Sequence, residues 1–169
     1  NKLPPLSAPN VSAIATLVCD KDRGVPDDSG ASPTYHYFST TQVGTTWAGH
    51  PVGQDILVAG NMQYVAFYDG LRRMVVKSRA GSGAWTTKVL DTSVGWDSHN
   101  YIAMQLDING NLHVAGNMHN SKLNYYITSV PGKVASLTRV PTLADSIVES
   151  AVTYPQFLNN ASGDLFFKF

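Results

Sequence analysis

The sequence predicts an all-β fold, a β-propeller built from four-stranded blades. Short runs rich in Val, Ile, Tyr, Phe and Thr alternate with turns of Gly, Asn, Asp and Ser, and helical periodicity is almost absent. Strand–turn–strand segments also recur along the chain. Their spacing is close to the roughly 40–50 residues typical of a propeller blade.

Three hairpins are predicted, each consisting of a strand, a turn and a return strand. They are Gln63–Gly70 followed by Met74–Val76, Asn100–Met104 followed by Leu112–Val114, and Tyr154–Leu158 followed by Leu165–Phe167. Their starts at Tyr64, Tyr101 and Tyr154 are 37 and 53 residues apart. We interpret them as equivalent hairpins of successive blades.

The remaining strands complete this scheme. Trp85–Leu90 and Leu137–Val140 are predicted to close the first and second blades, and Ala13–Val18 and Thr34–Thr40 are predicted strands on either side of a polar loop. About three blades fit into the chain, whereas closed propellers have roughly four to eight. We therefore expect residues 1–169 to be the N-terminal portion of a single propeller domain, incomplete without further blades from another segment or chain.

Composition excludes several classes of partner. Twelve basic and twelve acidic residues give no net charge, and no basic stripe appears that could follow a phosphate backbone, so nucleic acid is not expected. No run of eighteen apolar residues is present, so no membrane-spanning helix is expected. The sequons at Asn10 and Asn160 favour a secreted glycoprotein.

The central hairpin can be predicted down to its register. Asp107–Asn111 is typical of a three-residue loop, a type I turn closed by Gly110 in the left-handed conformation. Residues whose numbers sum to 218 then lie opposite each other. In this register one face of the hairpin is apolar and the other polar, whereas a shift of one residue would mix apolar and polar side chains on each face. His99 and His119 are therefore expected to stand opposite, with Cβ atoms roughly 5 Å apart.

The polar face of this hairpin, at the mouth of the central channel, is the predicted site. Its candidate residues are His99, Tyr101, Asn117 and His119, with Asn100 nearby and His50 and Tyr154 expected at the same mouth. Imidazoles exchange protons near neutral pH. Three interpretations remain open from the residues alone: a general acid/base pair, two ligands of a metal ion, or structural residues.

Neighbouring residues bear on the metal interpretation and on sugar binding. His113 lies six residues along the strand from His119, roughly 20 Å away, so it cannot complete a metal site with the pair. Trp47, Tyr64, Trp96 and Tyr101 offer flat apolar faces on which sugar rings could stack.

Four segments are distinctive in combination: Trp47–His50, Gln63–Asp69, Trp96–Ala103 and Gly116–His119. Together they resemble the BNR-repeat polysaccharide lyases, a group of seven-bladed propellers that includes ulvan lyases and rhamnose–glucuronate lyases. The pair Ser98–Tyr101 and Gly116–His119 is the specific part, and the resemblance runs from about Trp47 to Phe169.

This resemblance implies β-elimination at a 4-linked uronic acid in a glycan containing rhamnose and glucuronate. His99 and Tyr154 match the acid and base positions, and His119 matches a residue that contacts the uronate, assisted by Asn117 or Asn100. His50 and Tyr101 are further substrate-binding candidates. No cofactor is required for this chemistry, a structural calcium or zinc ion remains open, and the expected partner is an acidic polysaccharide.

One departure from the family pattern concerns its carboxylate-neutralising arginine. The resemblance places it just past the hairpin of Tyr154, and Arg72, Arg73, Arg79 and Arg139 do not match that position. We therefore expect this segment alone to be inactive. The alternatives are a non-catalytic glycan-binding propeller and a sialidase-like hydrolase, although the sequence shows no sialidase-type arginine cluster.

Overall fold

The structure, a computed structural model, describes residues 40–169. The predicted strand Ala13–Val18, the sequon at Asn10 and all but the last residue of Thr34–Thr40 lie outside the described residues. Within 40–169 the chain forms ten β-strands and two 3₁₀ turns of three residues each, which confirms the all-β prediction. No helix in that part of the chain is long and apolar enough to cross a membrane.

Eight of the strands form two antiparallel sheets of four strands, each following chain order. The first sheet contains β1 (Asp55–Ala59), β2 (Met62–Tyr68), β3 (Arg73–Ala80) and β4 (Thr86–Ser93). The second contains β5 (Ile102–Leu106), β6 (Leu112–Gly116), β7 (Tyr125–Thr128) and β8 (Leu137–Val140). A hairpin of β9 (Gln156–Asn159) and β10 (Leu165–Lys168) follows. Residues 40–169 thus contain two complete blades and the first hairpin of a third.

The first blade begins one strand earlier than predicted. The hairpin starting at Tyr64 is β2–β3, the middle of its sheet, whereas the hairpins starting at Tyr101 and Tyr154 are first hairpins. The true equivalent of β5 is β1, which pairs with β2 across Gly60-Asn61. The interpretation of three equivalent hairpins is therefore wrong for the first one. Gly-Asn between two apolar runs is a hairpin signal and would have located β1.

The central hairpin has the predicted register. Ile102 pairs with Gly116 and Leu106 with Leu112, so paired numbers sum to 218. Gly110 adopts φ +80°, and its N–H donates to the Asp107 carbonyl at 2.9 Å, closing the expected turn.

Apolar layers hold the sheets face to face. A core between the two sheets contains Tyr64, Tyr68 and Met74 from the first and Leu112 and Tyr126 from the second. A smaller core lies between the second sheet and the β9–β10 hairpin. Because side chains alternate along a strand, each sheet can bury both faces in this way.

The first strand of each sheet is the innermost one. Strand β5 contacts β1 on one side and β9 on the other, and the Met104 N–H donates to the Asp55 carboxylate at 2.6 Å. The connections that lead into β5 and β9 therefore meet at one end of the structure, which we call the site end.

Candidate functional site

The connection from β4 to β5 reaches the site end through a tight polar turn. The Asp97 carboxylate accepts the backbone N–H of His99 at 2.9 Å, an Asx turn that sets the direction of the chain. The Asn100 side chain donates to the Asp97 carbonyl at 3.2 Å. The turn therefore presents Asp97 and His99 together, immediately before β5.

The two histidines of the central hairpin lie side by side at this end. Their ring centroids are 4.2 Å apart, with 34° between the planes. The Asp97 carboxylate bridges them: one oxygen lies 2.6 Å from Nδ1 of His99 and the other 2.5 Å from Nδ1 of His119. All three side chains are partly exposed, at 31% for Asp97, 44% for His99 and 40% for His119. The group is thus accessible to a ligand.

These bonds keep Asp97 ionised. The His99 backbone N–H is the largest cause of a strongly lowered pKa at Asp97, and the imidazoles of His119 and then His99 lower it further. Each of these donors favours the charged form of the carboxyl group.

Tyr154 reaches the same end from the connection between β8 and β9. An isolated bridge pairs Ser121 with Val152, and the Asn120 N–H donates to the Thr153 hydroxyl at 2.8 Å, so this connection is tied to the loop after His119. The Tyr154 ring then stacks on Tyr101 at 5.3 Å.

The phenol ring of Tyr154 lies 6.1 Å from the ring of His99. The structure therefore brings together four of the predicted site residues: His99, Tyr101, His119 and Tyr154.

Backbone strain concentrates around this group. Within residues 40–169, four non-glycine residues have positive φ, and three of them, Asn117, Asn120 and Tyr154, flank the histidine pair. For an aromatic residue preceding a proline, such a conformation is unfavourable and persists only where the surroundings impose it. Strain of this kind clusters at functional sites.

His50 lies beside this group in an aromatic cluster rather than against the histidine pair. Its ring contacts Trp96 at 4.5 Å and Trp47 at 6.1 Å, and its buried Nε2 has no hydrogen-bond partner among the described residues. Trp96 is 67% exposed, whereas Trp47 and Tyr64 are buried. Of the four predicted stacking residues, Trp96 and Tyr101 have accessible faces, and the expectation is wrong for Trp47 and Tyr64.

The two asparagines use their amides within the protein. Asn100 is buried, and Asn117 donates to the Thr92 hydroxyl and to the Ser93 carbonyl at the end of β4. In the structure their side-chain N–H groups support the Asp97 turn and the junction with β4, and the assistance by Asn117 or Asn100 that the resemblance implies stays a prediction. Strand β6 ends at Gly116, and Asn117 follows it with φ +60°, so Asn117 does not continue the alternation of the strand.

Three of the four arginines named above are engaged within the sheets. Arg73 pairs with Asp69 at 2.6 Å, Arg139 with Asp91 at 2.9 Å, and the Arg79 guanidinium lies over Trp85 at 4.6 Å. None of these contacts involves the histidine pair.

Spacing alone would also allow a metal ion at this group. Asp97, His99 and His119 offer ligand atoms that all lie within 4.8 Å of one another. However, ligands of one tetrahedral zinc ion are roughly 3.3 Å apart. The 2.5 and 2.6 Å separations between carboxylate and imidazole are those of charge-assisted hydrogen bonds. We therefore describe the three residues as a hydrogen-bonded triad.

Asp97 is the site residue that the sequence reasoning missed. Its position two residues before His99, inside a polar Asp-Ser turn, is a local signal for an Asx turn and could have placed it beside that histidine. Its contact with His119, 22 positions further along the chain, has no comparable local signal.

Fold and site together describe a propeller-type all-β protein with a histidine–carboxylate group and exposed aromatic rings at one end of its inner strands. A family model described as "BNR repeat-containing family member" matches residues 62–169. The chain belongs to this family. No curated protein gives a significant sequence match.

Two solved structures of an ulvan lyase, described as a new family of polysaccharide lyase, are similar in fold. The structure bound to -GlcA(1-4)Rha3S- has a TM-score of 0.52 and 13% identity over 66% of this chain and 30% of that one. Another ulvan lyase structure has a TM-score of 0.51 and 14% identity, covering 71% of this chain and 34% of that one. The chain thus spans about a third of the length of these lyases, and the likeness establishes the fold.

Proposed function

We propose that the protein is a polysaccharide lyase that cleaves 4-linked uronate bonds in rhamnose-containing glycans by β-elimination. The observation that best supports this is the grouping of His99, His119 and Tyr154 at one end of the inner strands, in a family member whose fold is similar to that of ulvan lyases. In this proposal the protein acts outside the cell on an acidic polysaccharide, and further blades complete the propeller. The sequon at Asn160 lies in an exposed turn, which fits a secreted glycoprotein.

The reaction requires two proton transfers. A base removes the C5 proton of the uronate, the electrons form the C4–C5 double bond, and an acid protonates O4 as the glycosidic bond breaks. His99 and Tyr154, with rings 6.1 Å apart, are assigned to these steps, and the stereochemistry at C5 decides which residue is the base.

The charge that develops on the uronate carboxylate must be stabilised for the C5 proton to leave. His119 is assigned to this task because its ring lies 4.2 Å from that of His99 and can face the same sugar. The arginine that the resemblance places past the Tyr154 hairpin is proposed to assist from the rest of the propeller.

A glycan-binding propeller without catalysis is the second candidate. It is favoured by the exposed rings of Trp96, Tyr101 and Tyr154, which could stack on sugars whether or not chemistry follows. A binder would release no product, and a hydrolase would release saturated sugars.

The test is a panel of ulvan, gum arabic and related uronans incubated with the complete protein and followed by ultraviolet absorbance. A lyase forms an unsaturated uronate that absorbs, so the signal separates the three functions. No absorbance on any uronan, with binding retained, would favour the glycan-binding alternative.

Variants then assign the roles. His99→Ala and Tyr154→Phe are each expected to lower the rate by about 10²–10⁴-fold, the usual contribution of a general acid or base. His113→Gln is the matched control, because His113 lies on the same hairpin but binds Tyr125 and Asp107 at its far end. Substantial turnover in a folded variant would remove that residue from the mechanism.

A further inference from the structure

We propose that Asp97 is a positioning residue that fixes the tautomer and orientation of both His99 and His119. Each imidazole then carries its proton on Nδ1 and keeps Nε2 free for the substrate. The consequence for catalysis rests on the lyase function proposed above, whereas the tautomers themselves do not depend on it.

The ionised state of the Asp97 carboxyl group decides where the ring protons lie. An ionised carboxylate has no proton to donate, so it can only accept hydrogen bonds. Both of its oxygens face a ring nitrogen, at 2.6 Å for His99 and 2.5 Å for His119. Each Nδ1 must therefore carry the hydrogen, and each neutral ring has its lone pair on Nε2.

Asp97 is itself held in place. The oxygen that contacts the His99 ring also accepts the His99 backbone N–H at 2.9 Å, and the Asp97 carbonyl accepts the Asn100 amide at 3.2 Å. Because the carboxylate is fixed and each of its oxygens accepts a hydrogen bond from one ring, it sets the orientation of both imidazoles. In the part of the chain that the structure describes, neither Nε2 is used in a hydrogen bond with protein.

The two Nε2 atoms are thereby left for different tasks on one substrate. In our assignment the Nε2 of His99 exchanges a proton with the sugar. His119 takes up a second proton from solvent at Nε2 when the uronate binds and donates that N–H to the carboxylate, while its Nδ1–H stays on Asp97. The Asp97 side chain thus orients two imidazoles that have separate roles.

Asp97→Asn in the complete protein tests this directly, because asparagine has the same size but offers one oxygen and one NH₂ group. The oxygen can accept from only one Nδ1–H. The other histidine then faces a donor and must move its proton to Nε2, or lose the contact. With a chelator present throughout, ¹⁵N NMR of the imidazoles should show Nδ1-protonated tautomers for both histidines in the unsubstituted protein. In Asp97→Asn it should show this tautomer for only one of them.

Kinetics supply the second readout. Loss of the carboxylate that fixes a catalytic histidine tautomer costs roughly 10⁴-fold in kcat in a serine protease triad, so we expect a loss of about 10²-fold or more. Asp97→Glu, which restores two acceptor oxygens, should recover part of kcat. Asp107→Asn is the matched control, because Asp107 also caps a turn and contacts a histidine on the same hairpin, and it should leave both tautomers unchanged.

The outcomes separate the two proposals. If both histidines keep Nδ1–H in folded Asp97→Asn, or if kcat stays within a few-fold, the positioning role is overturned. If the tautomer of one histidine changes as expected but no uronan is cleaved by the unsubstituted protein, the positioning role holds and the lyase function fails.

Discussion

The Asp91 carboxylate joins the outer strands of the two complete blades. Asp91 lies in β4, and its carboxylate accepts two N–H hydrogen bonds from Arg139 in β8, at 2.9 and 3.0 Å. The Tyr126 hydroxyl donates to the same carboxylate at 2.6 Å. Because this contact joins the two sheets, it helps to fix the angle between the blades. That angle sets the position of Asp97 relative to His119, which follows β6 of the second blade. Replacing Asp91 by Asn tests how strongly it does so.

The size of the effect follows from the pKa of Asp91. The bond from Arg139 is the main cause of its fall from 3.8 to about 2, with the Tyr126 hydroxyl also lowering it. At about 1.36 kcal/mol per pKa unit, this corresponds to about 2.4 kcal/mol of stabilisation. The Asp91 side chain is 66% exposed, however, and solvent screens such pairs. We therefore expect Asp91→Asn to lower the free energy of unfolding by about 1 kcal/mol at neutral pH.

The pH dependence has a definite sign. Because the pKa of Asp91 is lower in the folded than in the unfolded state, its stabilisation is complete above about pH 4 and is lost as the pH falls through about 2. Urea unfolding of the complete protein at both ends of this range measures the difference from Asp91→Asn.

A double-mutant cycle with Arg139→Gln isolates the pair from other contacts of Arg139. A difference that does not shrink at low pH, or a coupling energy near zero, would show that the Asp91–Arg139 ion pair does not stabilise the protein.

Two further predictions concern the support of the tyrosine pair. Gly53→Ala would place a Cβ 2.4 Å from the Tyr101 ring, so the ring must leave its stack with Tyr154. We expect a lower kcat/KM on the best uronan with an unchanged circular dichroism spectrum. An unchanged kcat/KM would contradict this. Glu149 is 1% exposed, and one of its oxygens accepts three backbone N–H groups at 143–145 in the connection that leads to Tyr154. Glu149→Ala should lower the free energy of unfolding, measured in urea, by about 2 kcal/mol. Glu149→Gln should lower it less, because glutamine keeps an acceptor oxygen. Equal losses in the two variants would show that these hydrogen bonds do not hold the connection.

The predictions from sequence succeeded where a local rule decided the structure. Gly110 in its turn and the alternation of apolar residues on both strands set the register of the central hairpin, and the observed pairing matches it. The same rules failed for the first blade, where the hairpin at Tyr64 was taken as its start. Strand β1 was missed because the Gly60-Asn61 turn between its apolar run and β2 was not recognised.

The site was predictable only in part, for the same reason. The hairpin register places His99 opposite His119, and the structure shows the rings 4.2 Å apart. The placement of Asn117 on the polar face of the hairpin depended on extending the strand pattern beyond Gly116. The strand ends there, and the Asn117 amide donates to the Ser93 carbonyl at the end of β4.

Turn chemistry and side-chain alternation act over a few residues, so the all-β class, the turn at Gly110 and the pairing within the central hairpin could be predicted from local sequence. In contrast, the position of one carboxylate between two imidazoles and the stacking of Tyr154 on Tyr101 follow from contacts between distant parts of the chain. Those contacts depend on the packing of successive sheets against each other and on the Ser121–Val152 bridge, which join parts of the chain with no local relation.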